Sequence, residues 1–162
     1  MNKLETVNKP HMNKEALKEA IGLLNNNWVL DDTGEWLNIT VPVEEWLQLA
    51  TTLKKQNDLF FDYLFCITAV DWKTHFTIVY HLSSVTYRHT VVVKVTVPRD
   101  APELPSVCSI WPTAEFHERE AYDLMGIVFT NHPDLRRLFL TDDWIGYPLR
   151  KDYEDPINMI KL

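Results

Sequence analysis

Two runs of strict alternation constrain this chain more than anything else in it. In His75 to Leu82 the residues Phe76, Ile78, Tyr80 and Leu82 take every second position, and in Thr90 to Val97 the residues Val91, Val93, Val95 and Val97 do the same, opposite Val92, Lys94 and Thr96. A repeat of two belongs to a β-strand, whose side chains point alternately to its two faces. Each run therefore predicts a strand with one face in a core, and the short stretch Ser83 to His89 between them predicts an antiparallel pair.

The other elements arrange themselves around that pair. Leu59 to Val70 is apolar on both alternating sets, one of them Phe61, Tyr63, Phe65 and Ile67, which predicts a central strand covered on two faces. Trp28 to Leu30 and Glu35 to Val41, joined by Asp31-Asp32-Thr33-Gly34, predict a hairpin. Helical spacing links Leu17, Ala20, Ile21 and Leu24, with Asn13 as N-cap and the Asn25-Asn26-Asn27 run as the stop. It also links Val43, Trp46, Leu47, Ala50 and Leu53 after Pro42. Ala101 to Pro105 reads as a rigid connection to a short strand, Cys108 to Trp111.

A third helix comes next, and it is dense in charge. Thr113 is the expected N-cap, with Glu115 in the first turn where the helix dipole favours an acid, and Gly126 is the expected stop. Ala114, His117, Ala121 and Leu124 form the expected inward stripe, while Arg119 lies within one turn of both Glu115 and Asp123 and is placed to bridge them. Glu120, near Phe116 and Leu124, is the acid expected to be partly buried, with Arg136 or Arg137 as its partner, because a buried carboxylate needs one.

Beyond a short strand, Ile127 to Phe129, almost thirty-five residues show neither period and contain Pro133, Pro148 and Pro156. Disordered tails lack aromatic residues, whereas this one interleaves Phe139, Trp144, Tyr147 and Tyr153 with Arg136, Arg137 and Arg150. Trp, Tyr and Arg anchor interfaces. The expectation is an α+β chain: residues 1–130 a globular domain with helices packed on a mixed or antiparallel sheet, residues 131–162 an extended arm that binds a partner.

Charge and composition limit the function. The formal net charge is -7 and no basic run exceeds two residues, which speaks against a nucleic-acid partner. Between Asp71 and Asp100 there is no acid but Lys73, Arg88, Lys94, Arg99 and three histidines, a local positive face that is either a solvated sheet surface or a docking patch for an acidic partner. The start is polar and the longest apolar run, Leu64 to Val70, is too short to cross a bilayer, so membrane association is expected only through partners. Cys66 and Cys108 lie far apart and read as buried thiols in a reducing compartment. Two cysteines do not supply an iron-sulfur cluster, and four glycines, at 22, 34, 126 and 146, build no dinucleotide or phosphate loop. His117-Glu118-Arg119-Glu120 lacks the second histidine of the zinc-protease spacing, since position 121 is Ala121. A cluster of Glu118, Glu120 and His132 or Asp134 is the one candidate metal or enzymatic site.

The motifs Glu-Arg-Glu-x-x-Asp-Leu-x-Gly-Ile at 118–127, His-Pro-Asp-Leu-Arg-Arg-Leu at 132–138 and Asp-Trp-x-Gly-x-Pro-Leu-Arg-Lys-Asp-Tyr at 143–153 resemble the signature of the C, or thirty-kilodalton, subunit family of respiratory complex I. The resemblance spans 111–153. It implies a non-redox subunit of the peripheral arm of a proton-translocating NADH-quinone oxidoreductase, on the cytoplasmic face of a bacterial inner membrane. FMN and iron-sulfur clusters would lie in partner subunits, with no cofactor, metal or catalytic residue in this chain. The D subunit is the implied main partner, with the B, I and G subunits as further neighbours. The implied assembly residues are Glu118, Arg119, Glu120, Asp123, His132, Asp134, Arg136, Arg137, Trp144, Arg150, Lys151 and Tyr153. After Tyr153 the family continues with Pro, whereas here Glu154-Asp155 precedes Pro156 and the chain soon ends, which leads one to expect a protein not fused to the D subunit. The alternatives are the equivalent subunit of a membrane-bound hydrogenase or of a quinone reductase with another donor, and a free-standing metal-dependent enzyme.

Overall fold

The computed structural model describes residues 11–155. In chain order the elements are α1 (Lys14–Gly22), β1 (Val29–Asp31), β2 (Leu37–Val41), α2 (Val43–Lys55), β3 (Tyr63–Asp71), β4 (His75–Ser84), β5 (His89–Pro98), β6 (Glu103–Pro105), α3 (Ala114–Met125) and β7 (Val128–Thr130). Five strands form one mixed sheet in the order β1-β2-β5-β4-β3, and β6 and β7 form a separate parallel pair. The architecture is α+β, as expected.

β4 and β5 pair antiparallel from His75↔Pro98 to Ser84↔His89. Their apolar sets, Phe76, Ile78, Tyr80, Leu82 and Val91, Val93, Val95, Val97, are all fully buried. α1 covers this face with Leu17 and Ile21, and α2 with Trp46, Leu49, Ala50 and Leu53; the Trp46 and Tyr80 rings lie 4.2 Å apart. Asn13 caps α1 by accepting the Ala16 N–H at 2.9 Å. α1 ends at Gly22, before the asparagine run, and Leu47 is 40% exposed, its expected place in the core taken by Leu49.

β5, not the Leu59–Val70 run, is the centre of the sheet. It receives β2 in parallel, Leu37↔Val91 to Val41↔Val95, a pairing that no local pattern announces. β3 is an edge strand. Its register shifts between Leu64 and Cys66, and such a bulge exchanges the faces of the residues on either side. Leu64 and Ile67 therefore both point into the core, while Tyr63 is 47% exposed. The run looked two-sided because one strand uses both alternating sets in turn.

No strand forms at Cys108–Trp111. That stretch is a turn, closed by the Trp111 N–H on the Val107 carbonyl, and the Trp111 indole donates to the Phe61 carbonyl at 2.8 Å. The strand lies earlier, at Glu103–Pro105, against β7. Thr113 does not cap α3 either; its hydroxyl donates to the Leu64 carbonyl at 2.8 Å and ties the helix to β3.

The expected positive face is dispersed. His89 is buried and its Nε2 donates to the Leu59 carbonyl, Lys73 and Arg88 sit in turns at φ 70 and 56, and Arg99 is taken up by two acids. Residues 131–155 contain neither helix nor strand and lie against α3 and the Asp71 end of β3. The rest of the expected arm, 156–162, lies outside the described residues.

Candidate functional site

α3 sorts the charges of the 118–123 run to different sides. Ala114, Glu118 and Ala121 face inward, Arg119 and Asp123 face residues 136–140, and Glu120 faces solvent. The buried acids of the run are thus Glu118 and Asp123, and Glu120 is not one of them. Helix geometry explains the change: 114, 118 and 121 share one face, and polar groups of the 106–108 turn wait opposite position 118.

Glu118 accepts the Ser106 hydroxyl at 2.6 Å, the Val107 N–H at 2.8 Å and the Cys108 thiol at 3.3 Å. Burial pushes its carboxyl above the ordinary range, and these donors offset part of that push. The Cys108 thiol is pushed up to about 12, first by burial and then by the nearby Glu118. Cys66 and Cys108 are free and half-buried rather than core thiols.

His132 stands beside this cluster, its Nε2 4.0 Å from Glu118 Oε2. Its Nδ1 accepts the Asp134 N–H at 3.0 Å, so Nε2 carries the proton and donates it to the Glu115 carbonyl at 3.1 Å. Cys108, Glu118 and His132 offer ligand atoms within 4.8 Å of one another. The metal-like grouping is therefore Cys108-Glu118-His132, and the expected Glu120 and Asp134 stand outside it. A metal there would displace the Cys108 thiol proton from Glu118 and reverse the tautomer that Asp134 and Glu115 hold. The donor set fits a closed hydrogen-bonded cluster better than a metal centre.

On the next face, Asp123 is fully buried. Its Oδ2 accepts the N–H groups of Leu138, Phe139 and Leu140 at 3.0, 2.6 and 3.0 Å, and its Oδ1 takes Arg137 Nη1 at 2.9 Å. Burial pushes the Asp123 carboxyl up, but these donors outweigh it and hold it below the ordinary carboxylate range. Arg119 does not bridge Glu115 and Asp123; it donates to the carbonyls of Arg136 at 3.2 Å and Arg137 at 3.0 Å. Arg137 continues to the carbonyls of Trp144 and Gly146. Neither Arg136 nor Arg137 meets Glu120. Arg136 pairs on the surface with Asp134 at 2.8 Å.

The end of α3 receives Arg150. The last carbonyls of a helix lack partners and carry the negative end of its dipole, and Arg150 Nε donates to Met125 O at 2.6 Å while its guanidinium stacks 4.7 Å from the Tyr147 ring centroid. Gly126 turns the chain at φ 71, and a Cβ there would lie 2.5 Å from the Tyr147 ring. The Lys151 N–H and Arg99 both bind Asp71, and Arg99 also binds Asp152 at 2.5 Å. The Arg99 guanidinium first, with the Lys151 and Lys73 N–H groups, holds the Asp71 carboxyl well below the usual range. Lys151 Nζ lies 5.9 Å from the Trp72 ring, and Tyr153 packs on Gly146. Asp71, Arg99 and Ser106 were not foreseen as members of this site. The acid that ends an apolar strand at Asp71 was the available signal.

The irregular segment thus turns Arg137 and Arg150 inward, leaves Arg136 on the surface, and stands several of its apolar residues outward. Phe139 is 65% exposed, Ile145 88% and Leu149 53%, and the Trp144 indole N–H is buried without an acceptor.

The profile of a family described as the 30 Kd subunit of respiratory-chain NADH dehydrogenase matches residues 39–156. The chain belongs to this family. The match takes in β2 to β5 as well as the signature, so the 30 Kd subunit family is written into the sheet and not only into α3 and the segment after it. The C subunit of NADH-quinone oxidoreductase from Chlorobium phaeobacteroides is 44% identical over 87% of this chain and 84% of that protein. The Chloroherpeton thalassium protein of the same name is 42% identical over 87% of this chain and 58% of that protein. A protein of Phocaeicola vulgatus, named as the C/D subunit of NADH-quinone oxidoreductase, is 46% identical over 76% of this chain and 24% of that longer protein. The chain therefore spans little more than half of one of these relatives and a quarter of another. Among solved structures, a trypsin-resistant fragment of Nqo5 superposes with a TM-score of 0.64 at 33% identity, over 75% of this chain and 97% of the fragment. A chain of the membrane-bound sulfane sulfur reductase, an archaeal respiratory membrane complex, superposes at 0.75 and 29% identity, over 86% of this chain and 85% of that one.

Proposed function

We propose that this chain is the non-redox C subunit of an NADH-quinone oxidoreductase, and that residues 131–155, held in shape by α3, dock it to a partner subunit. The observation that carries the reading is the inverted segment: Arg119, Arg137 and Arg150 hold its backbone from within, and Phe139, Ile145 and Leu149 stand outside. Exposed aromatic and aliphatic anchors on a rigid frame are what a protein interface requires. The D subunit is the main partner in this reading, supported by a relative whose name joins C and D, with the B, I and G subunits further neighbours. Flavin and iron-sulfur clusters belong to partner subunits, and this chain acts by positioning. No helix among the described residues is long and apolar enough to cross a membrane, so attachment to the cytoplasmic face of the inner membrane comes through the complex.

A second reading keeps the role and changes the complex. The likeness to a chain of the sulfane sulfur reductase complex supports a place in a sister assembly fed by a donor other than NADH. A free-standing enzyme would have to work through Cys108, Glu118 and His132, whose bonds are committed to one another and to the backbone.

The test replaces Phe139 and Ile145 with Asp in a tagged chain expressed in its host. Losing an interface anchor costs about 2 kcal/mol or more, so recovery of the partner subunit with the variant should fall steeply while the sheet stays folded. Recovery equal to that of the unaltered chain would contradict the reading.

A further inference from the structure

Of the four charges in the 118–123 run, three are used inside the chain and Glu120 is not. Glu118 holds the 106–108 turn, and Arg119 and Asp123 hold residues 136–140. Glu120 is exposed, with no hydrogen bond or ion pair among the described residues. It stands on the wall of a groove between α3 and β3, whose apolar lining is Ile67, Ala69, Ala121, Leu124, Met125 and Leu149. It is the groove's one carboxylate; no lysine or arginine lines the groove with it, and the one basic side chain in the lining is His117, three residues earlier on α3, which makes no ion pair with it among the described residues. Its charge reaches Cys66 on β3, where burial and then Glu120 raise the thiol.

Three features say what would fill the groove. The cavity is about 100 Å³, below the several hundred that small-molecule sites occupy and suited to one or two side chains. β3 is the last strand of the sheet, and no described strand pairs with its outer edge. Such an edge is a template for an added strand. A carboxylate on an apolar wall calls for a cation once it is covered, because burying it alone is costly. The groove also joins the outward side of residues 131–155, since Leu149 belongs to both.

We infer that this groove takes an extended segment of a partner subunit, which adds to the open edge of β3 at Ile67–Ala69, sets an apolar side chain on Ala121 and Leu124, and presents an Arg or Lys to Glu120. The inference rests on the proposed role as a subunit and adds the site, the backbone mode and the chemistry of the occupant.

A photo-crosslinking amino acid at Thr68, with a second preparation carrying it at Ile145, separates the two claims in the purified complex. Thr68 should capture a partner peptide with an Arg or Lys within a few residues of the crosslink. Glu120→Lys, or the milder Glu120→Gln, should cut that product at least tenfold and leave the Ile145 product unchanged. Capture at Ile145 with none at Thr68, capture of a peptide with no basic residue, or a Thr68 product indifferent to both variants would overturn the groove inference alone. A chain that brings no other subunit with it would overturn both.

Discussion

Asp123 and Arg137 meet at 2.9 Å with the carboxylate fully buried, and between them they fix the path of residues 137 to 146. Removing the Asp123 carboxylate takes the ion pair from Arg137 and leaves the N–H groups of Leu138, Phe139 and Leu140 without their acceptor in a low-dielectric site. Asp123→Ala should cost about 3–5 kcal/mol, read by denaturant unfolding. A double-mutant cycle on Asp123 and Arg137 should give a coupling of at least about 1 kcal/mol, while Glu120 and Arg137 should be additive within about 0.5 kcal/mol. Coupling at the second pair and not the first would reverse the assignment.

Acid should loosen the same segment. The carboxyls of Asp123 and Asp71 lie below the ordinary Asp value of 3.8 in the folded chain. Their stabilisation is therefore complete above that value and is lost as pH falls through the folded ones. Glu118 has the opposite sign: its raised carboxyl opposes folding at neutral pH and stops doing so as it takes up a proton. Melting temperature against pH should fall below about pH 4, more gently in Asp123→Asn, while Glu118→Gln should leave that limb unchanged and remove the gain in stability that the unaltered chain shows as pH falls toward 4.5. An unchanged acid limb in Asp123→Asn would contradict this.

Gly126→Ala should release the 131–155 segment. Its φ of 71 disfavours a side chain, and the new Cβ would meet Tyr147 at 2.5 Å and Arg150 Nη2 at 2.8 Å. The backbone alone costs about 1–2 kcal/mol. Trypsin should cut this variant at Arg150 and Lys151 well before the unaltered chain, with the sheet intact. Equal cutting rates would show that Tyr147 and Arg150 do not hold the segment.

The two thiols should differ in alkylation at mildly alkaline pH. Cys108, pushed up to about 12, should stay unmodified while Cys66 reacts. Glu120→Gln removes a negative charge that disfavours the Cys66 thiolate, so Cys66 should react faster in that variant. A Cys66 rate that does not respond to Glu120→Gln would place the carboxylate elsewhere.

Strands with one clean period, β4 and β5, and helices with one stripe, α1 and α2, were legible because local pattern and tertiary burial agree. β3 was misread where a bulge made one strand look like two faces, and the parallel β2–β5 pairing is set by long-range closure that no short window contains. At the site, the signature named residues but not which way they face. Two residues, more than half a turn around α3, separate Glu118 from Glu120, and the hydrogen-bond donors at Ser106 and Val107 that decide between them lie outside the helix. Likewise Arg137 and Arg150 read as partner anchors from composition, and within the chain they reach buried Asp123 and the open carbonyls of α3, contacts that no short window of sequence contains.

The most direct test is to tag the chain in its own host, solubilise the membranes gently, purify, and identify by mass spectrometry what accompanies it. Flavin- and cluster-bearing NADH-oxidising subunits together with the D subunit are the expected result. Recovery as a lone species, or with a hydrogenase-like large subunit and no NADH-oxidising module, would contradict its place in an NADH-quinone oxidoreductase.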